Sequence, residues 1–125
     1  MNVSIIPGRF QPYLLSILRI MAGLAFLEHG TGKLLGFPHL GMSLSGMTVF
    51  TGVIELVGGA LVTIGLFTRV VAFVLSGFMA FGYFLAHAPR GFFPAVNQGE
   101  AALLYCFVFL FVAAAGAGPW SIDRA

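Results

Sequence analysis

The sequence predicts an all-α protein: an integral membrane four-helix bundle with antiparallel, up-down topology. Three observations predict it. Hydrophobic residues make up 59% of the chain and charged residues only 8%. The apolar residues gather in four long runs, each close to the twenty or so residues a helix needs to cross a hydrocarbon core. The runs are continuously apolar rather than alternating, which argues against a β-barrel. In 125 residues, four spans leave only short loops, so one membrane domain over 1–125 is expected, with no soluble domain.

The first span is expected at about 13–30, behind Pro12, whose missing N–H costs little at a helix start. The second is expected at about 46–67 and the third at about 70–87, joined by the tight turn Thr68-Arg69. The fourth is expected at about 98–116. Gly36-Phe37-Pro38 through Ser45 reads as the first loop. Ala88 through Pro94 reads as the third, its prolines breaking any helix. The first span could serve as a signal peptide with Arg9 as its basic region. Arg19 inside the apolar stretch argues against that, as does Glu28-His29 where a small-residue cleavage site belongs.

Arginine and lysine near the span ends give orientation. Arg9, Arg69 and Arg124 fall on the side of the termini, Lys33 and Arg90 on the other. The balance favours both termini in the cytoplasm, with Trp120 as an interfacial anchor there. In a bacterial inner membrane the loop face then points to the periplasm. The net charge of +2 includes no basic cluster, so nucleic acid is not an expected partner. The single cysteine, Cys106, excludes an internal disulfide and reads as a packing residue.

An ionisable side chain at the centre of a span costs about 2.5–3.5 kcal/mol or more, so it persists where it is paired or used. Helical spacing places the polar residues on stripes. The first carries Arg19, His29 and Lys33, and the second Glu55 with Gly52 and Gly59. The third carries Ser76, Tyr83 and His87, and the fourth Asn97 and Glu100. Small residues on the same stripes let backbones approach, so the four faces should point at one another. Arg19 precedes Gly30 by 11 residues, placing it about 16 Å below the loop face. Glu55 follows Gly46 by 9 residues, about 13 Å below it. The two look level, and an Arg19–Glu55 ion pair is expected near mid-membrane. Above it, His29, Lys33, His87, Asn97 and Glu100 should line a shallow pocket open at the loop face. Glu28, opposite Arg19 on the helical wheel, should reach the interface, and His39 should be solvated in its loop.

The run Arg19-Ile20-Met21-Ala22-Gly23-Leu24-Ala25-Phe26-Leu27-Glu28-His29-Gly30, followed by Lys33-Leu34, resembles the opening of DoxX-family membrane proteins. So do Gly52-Val53-Ile54-Glu55-Leu56-Val57-Gly58-Gly59, Gly65-Leu66-Phe67-Thr68-Arg69 and the ending Gly116-Ala117-Gly118-Pro119-Trp120-Ser121-Ile122-Asp123. The resemblance covers nearly the whole chain in order. It implies a four-helix bundle of bacterial inner membranes and, more loosely, a redox context. Named members include DoxD/DoxA-type subunits of thiosulfate:quinone oxidoreductase, and another relative is linked to a complex with superoxide dismutase and a sulfurtransferase. Arg19, His29, Gly30, Lys33, Glu55 and the region Asn97–Glu100 are the family's characteristic positions.

Several functions fit these residues. The polar groups can simply hold the bundle together, because in lipid there is little hydrophobic drive between helices. Alternatively, the pocket takes a quinone. Ligand contacts would then come from Arg19, His29, Lys33, Glu55, Tyr83, His87, Asn97 and Glu100, with His29 and Glu100 the candidates for catalytic proton exchange. Phe26, Phe84, Phe92, Phe93 and Phe107 would supply a flat slot. A metal site at His29, His87 and Glu100 suits iron, zinc or copper in ligand type, though Lys33 beside His29 disfavours a cation. A non-enzymatic scaffold for a redox partner, or a small-solute transporter, also fits. No haem-attachment motif, nucleotide loop or nucleophile elbow occurs in the sequence. The favoured expectation is the membrane subunit of a quinone-linked oxidoreductase or redox-stress complex, compatible with a homo-oligomer and drawing electrons from a soluble or membrane partner protein.

Overall fold

The computed structural model describes residues 3–123; Arg124, counted in the charge balance, lies outside the described residues. A 3-10 turn at Gly8–Phe10 leads into α1, Gln11–Leu35. α2 is Gly46–Ile64 and α3 is Thr68–Gly82. A π turn at Tyr83–His87 and a 3-10 turn at Ala88–Arg90 continue α3. α4 is the short Pro94–Asn97, and α5 is Glu100–Ala115. There is no strand among the described residues. The helices through Leu35, Ile64 and Arg90 are long and apolar enough to cross a membrane, and α5 is a shorter apolar helix. The all-helical, up-down membrane architecture is as the sequence predicts.

The helix ends follow from local chemistry. α1 continues past Gly30 because Gly30 and Gly32 are packed against neighbouring segments rather than free to bend. Their missing Cβ atoms admit the Leu56 backbone and the Leu40 side chain. α1 stops at Gly36, which takes the left-handed conformation, φ 74°, that glycine adopts without strain. α2 begins at Ser45 with a reciprocal cap: the Thr48 amide donates to Ser45 Oγ at 3.2 Å, and the Ser45 amide to Thr48 Oγ1 at 2.7 Å. Helical geometry reaches Arg90, beyond the end expected at His87. A proline clashes with the carbonyl four residues back. In the wider π turn the Ala88 amide bonds instead to the carbonyl of Tyr83, and the chain arrives at Pro89 in helical geometry.

The helices form a ring in the order α1, α2, α3, α5. α1/α2 and α3/α5 are closely packed pairs, while α2/α3 and α1/α5 meet more loosely. Ala22, Phe26, Val62, Ala72, Leu75, Phe109 and Val112 fill the centre. The Phe26 ring sits edge-on to Phe109 at 4.8 Å and to Tyr105 at 5.2 Å. Many large apolar side chains, among them Met21, Phe50, Phe73, Val74, Phe81 and Phe107, face outward. In water such a surface would aggregate; in a bilayer it meets lipid.

Candidate functional site

α1 and α2 approach until backbone touches backbone. A Cβ on Gly30 would stand 2.5 Å from the Leu56 amide nitrogen, and one on Gly59 2.5 Å from that of Leu27. This contact brings the last turn of α1 beside the first half of α2. Lys33 Nζ lies 2.8 Å from Glu55 Oε1, and donates to Thr51 Oγ1 at 3.0 Å. Only 13% of the lysine side chain and 6% of the glutamate side chain remain accessible. The pair is thus almost wholly enclosed.

The partner of Glu55 is therefore Lys33, not Arg19. The expected Arg19–Glu55 pair fails because α1 ends at Leu35 rather than Gly30. Measured from Leu35, Arg19 lies about 24 Å deep, against about 13 Å for Glu55 below Gly46. Arg19 is fully buried at the opposite end, among the residues that follow α5. Its guanidinium donates to the carbonyls of Ala117, Trp120 (2.7 Å) and Thr63 (3.3 Å). Ser16 completes the joint: its Oγ donates to the Ala117 carbonyl at 3.3 Å and accepts from the Trp120 amide at 3.1 Å. The segment 116–123 is thus a strap across the ends of α1, α2 and α3. Ile122 and Asp123 amides donate to the Ile64 and Gly65 carbonyls at 3.1 and 2.8 Å. The Asp123 carboxylate accepts from the amides of Thr68 at 2.8 Å and Phe67 at 3.0 Å. Phe67 is left-handed, φ 54°, and α3 has no cap from its own preceding residue, so Asp123 caps it from a distance. The Thr68 amide above all, then the Thr68 side chain, the Phe67 amide and the Arg19 charge, hold the Asp123 carboxyl below the usual carboxylate range.

A third cluster joins α3 to α5. Asn97 is fully buried. Its Nδ2 donates to Tyr83 Oη and to the Gly91 carbonyl, both at 3.0 Å, and its Oδ1 accepts from the Gly99 amide at 2.8 Å. Its own carbonyl accepts from His87 Nδ1 at 3.1 Å. His29 Nδ1 likewise donates to the Ala25 carbonyl at 3.0 Å. A carbonyl can only accept, so Nδ1 carries a proton in both rings. Glu100 is exposed in the first turn of α5.

The DoxX family model matches residues 14–88. The chain belongs to the DoxX family. This DoxX protein is 44% identical to an uncharacterized protein of Haemophilus influenzae, over 93% of this chain and 92% of that one. It is 31% identical to an uncharacterized membrane protein of Mycobacterium tuberculosis, over 86% of this chain and 77% of that one. No solved structure matches the chain.

The matched region holds Arg19, His29, Lys33, Glu55, Tyr83 and His87; Asn97, Glu100 and the strap lie beyond it. Of the residues expected to share one pocket, the structure joins Lys33 to Glu55, and Tyr83 and His87 to Asn97. Among the described residues no hydrogen bond or ion pair links these two groups to each other or to Glu100. Nor does any group of three His, Cys, Asp or Glu side chains stand ready to hold a metal, so His29, His87 and Glu100 do not form a ligand set. Sequence reasoning missed Thr51, Ser16 and Asp123. Thr51 sits four residues before Glu55, on the same helical face, and that spacing is the signal that would have found it.

Proposed function

We propose that this DoxX protein is the membrane subunit of a quinone-linked oxidoreductase. The Lys33–Glu55 pair with Thr51 is the place where a quinone headgroup is held and protonated. The enclosed ion pair carries the reading. A buried pair is no great source of stability, because desolvation offsets much of the attraction. In a span, ionisable groups that are not needed for packing mark function. Arg19 is accounted for by the strap; Lys33 and Glu55 cap no segment, and they cross between α1 and α2 where the glycine contacts of Gly30 and Gly59 already hold the two backbones together. Reduction of a quinone to quinol takes two electrons and two protons. With a quinone bound, Lys33 would supply positive charge beside it, and Glu55 and His29, one helical turn from Lys33, would be the groups to hold and pass the protons. Electrons arrive from a redox partner protein. The site lies toward the loop face, which the balance of arginine and lysine favours as the periplasmic side of a bacterial inner membrane, with both termini cytoplasmic.

The test is extraction of the purified protein followed by mass spectrometry. A quinone near one per chain, lost in Lys33→Met and Glu55→Gln, is the expected result. Its absence from folded wild-type protein removes the reading. Solute flux through liposomes holding this protein alone, stopped by Glu55→Gln, would replace it with transport.

A further inference from the structure

The loose seam between α1 and α5 is open toward lipid. A groove of about 690 Å³ runs along it, walled by Leu14, Leu15 and Leu18 of α1, Phe111 and Ala115 of α5, and Pro119 of the strap. Leu18 also lines a second apolar hollow of about 360 Å³, which reaches Ala22 and Tyr105. From Gln11 to Ala22 the two follow α1 for about 17 Å. That is about the depth of one leaflet of a 30 Å hydrocarbon core. A hydrocarbon chain of leaflet length therefore fits the groove in length as well as in polarity.

The mouth of the groove carries the opposite chemistry. Gln11 is a polar residue at its edge. Arg9, two residues earlier, is exposed, with its guanidinium carbon 4.9 Å from the centre of the Phe10 ring, and no carboxylate among the described residues pairs with it. Arg69 lies on the same end of the molecule, but its guanidinium is engaged by the last carbonyls of α5: Nη1 donates to those of Ala113 (3.3 Å) and Ala114, and Nη2 to that of Ala115, a groove residue, at 3.5 Å. The carboxylate on this end, Asp123, is engaged by the Phe67 and Thr68 amides. Arg9, with no carboxylate partner among the described residues, thus brings positive charge to the end of a leaflet-length apolar groove at the membrane surface, where each basic residue attracts anionic lipid. We infer that the α1/α5 seam binds one anionic phospholipid, with an acyl chain in the groove and the phosphate at Arg9. The site is at the opposite end of the bundle from Lys33 and Glu55 and does not depend on their role.

Native mass spectrometry of the full chain tests it, after delipidation and incubation with vesicles of phosphatidylglycerol and phosphatidylcholine in equal amounts. One phosphatidylglycerol per chain should be retained in preference to phosphatidylcholine. Ala115→Trp, which fills the groove, should abolish retention of either lipid. Arg9→Gln, at an exposed position, should reduce the phosphatidylglycerol preference to parity. Equal retention of both lipids by the wild type, or an unchanged preference in Arg9→Gln, overturns the inference even if Ala115→Trp does not fold. Retention of an endogenous quinone in the groove instead, displaced by Ala115→Trp, also overturns it.

Discussion

At the residue scale, two cations that look alike in the sequence have different duties. Arg19 offers a planar fork of donors, and three backbone carbonyls from two segments take them. Lys33 offers a point charge on a flexible stem, and meets one carboxylate and one hydroxyl. Removing one member of an enclosed pair leaves the other charged and unpaired, at a cost of about 3–5 kcal/mol. Lys33→Met should therefore destabilise the bundle by about that amount in denaturant titrations of micellar protein. The double variant Lys33→Met/Glu55→Leu should recover most of the loss, because no lone carboxylate remains. Additive losses in the double variant would show the two side chains to be uncoupled.

At the element scale, the closeness of α1 and α2 depends on glycines that look interchangeable by composition. A Cβ at Gly30 would run into the Leu56 backbone at 2.5 Å, whereas one at Gly77 would meet nothing within 4 Å. Gly30→Ala must push the helices apart, with an expected loss of about 1–3 kcal/mol. Gly77→Ala should be neutral, or stabilising by about 0.4–1 kcal/mol through the unfolded chain. Thermal unfolding of the two variants in the same detergent separates them. Helix number, polarity and pairing direction were legible because each follows from apolar runs and their spacing. Depth was not. Gly30-Thr-Gly reads as a helix end until the packing of α2 against Gly30 and of the following loop against Gly32 is known, and five residues of extra helix moved Arg19 away from Glu55. The pocket expected at the loop face divided for a similar reason. Asn97 turns inward to satisfy the backbone between α3 and α5, and this fixes Tyr83 and His87 on that pair of helices.

At the scale of the whole molecule, the two tight helix pairs are joined at one end by a segment that is not itself a helix. The ending Gly116–Asp123 is recognisable as a family pattern, yet its role becomes visible only when its partners are seen, since they lie from 55 to 104 residues away in sequence. Ser16, Arg19, Ile64, Gly65, Phe67 and Thr68 all bond to it. Asp123 makes this closure sensitive to acid. Its carboxyl is held below the usual carboxylate range in the folded state, so it binds protons more weakly there than in the unfolded chain. The resulting stabilisation is complete above the unfolded value of about 4 and is lost as pH falls through the lower folded value. The single tryptophan reports on the strap directly, because Trp120 lies within it and its ring packs 5.4 Å from that of Tyr13. Acidification below about pH 4 should shift the Trp120 emission as the strap loosens. Asp123→Asn should weaken the strap at neutral pH and flatten the acid dependence, because the amide has no charge to lose and only one oxygen for two backbone donors. Identical acid profiles in the variant and the wild type would show that the closure is held by Arg19 and Ser16 without Asp123, which the capping of a left-handed Phe67 makes the harder structure to sustain.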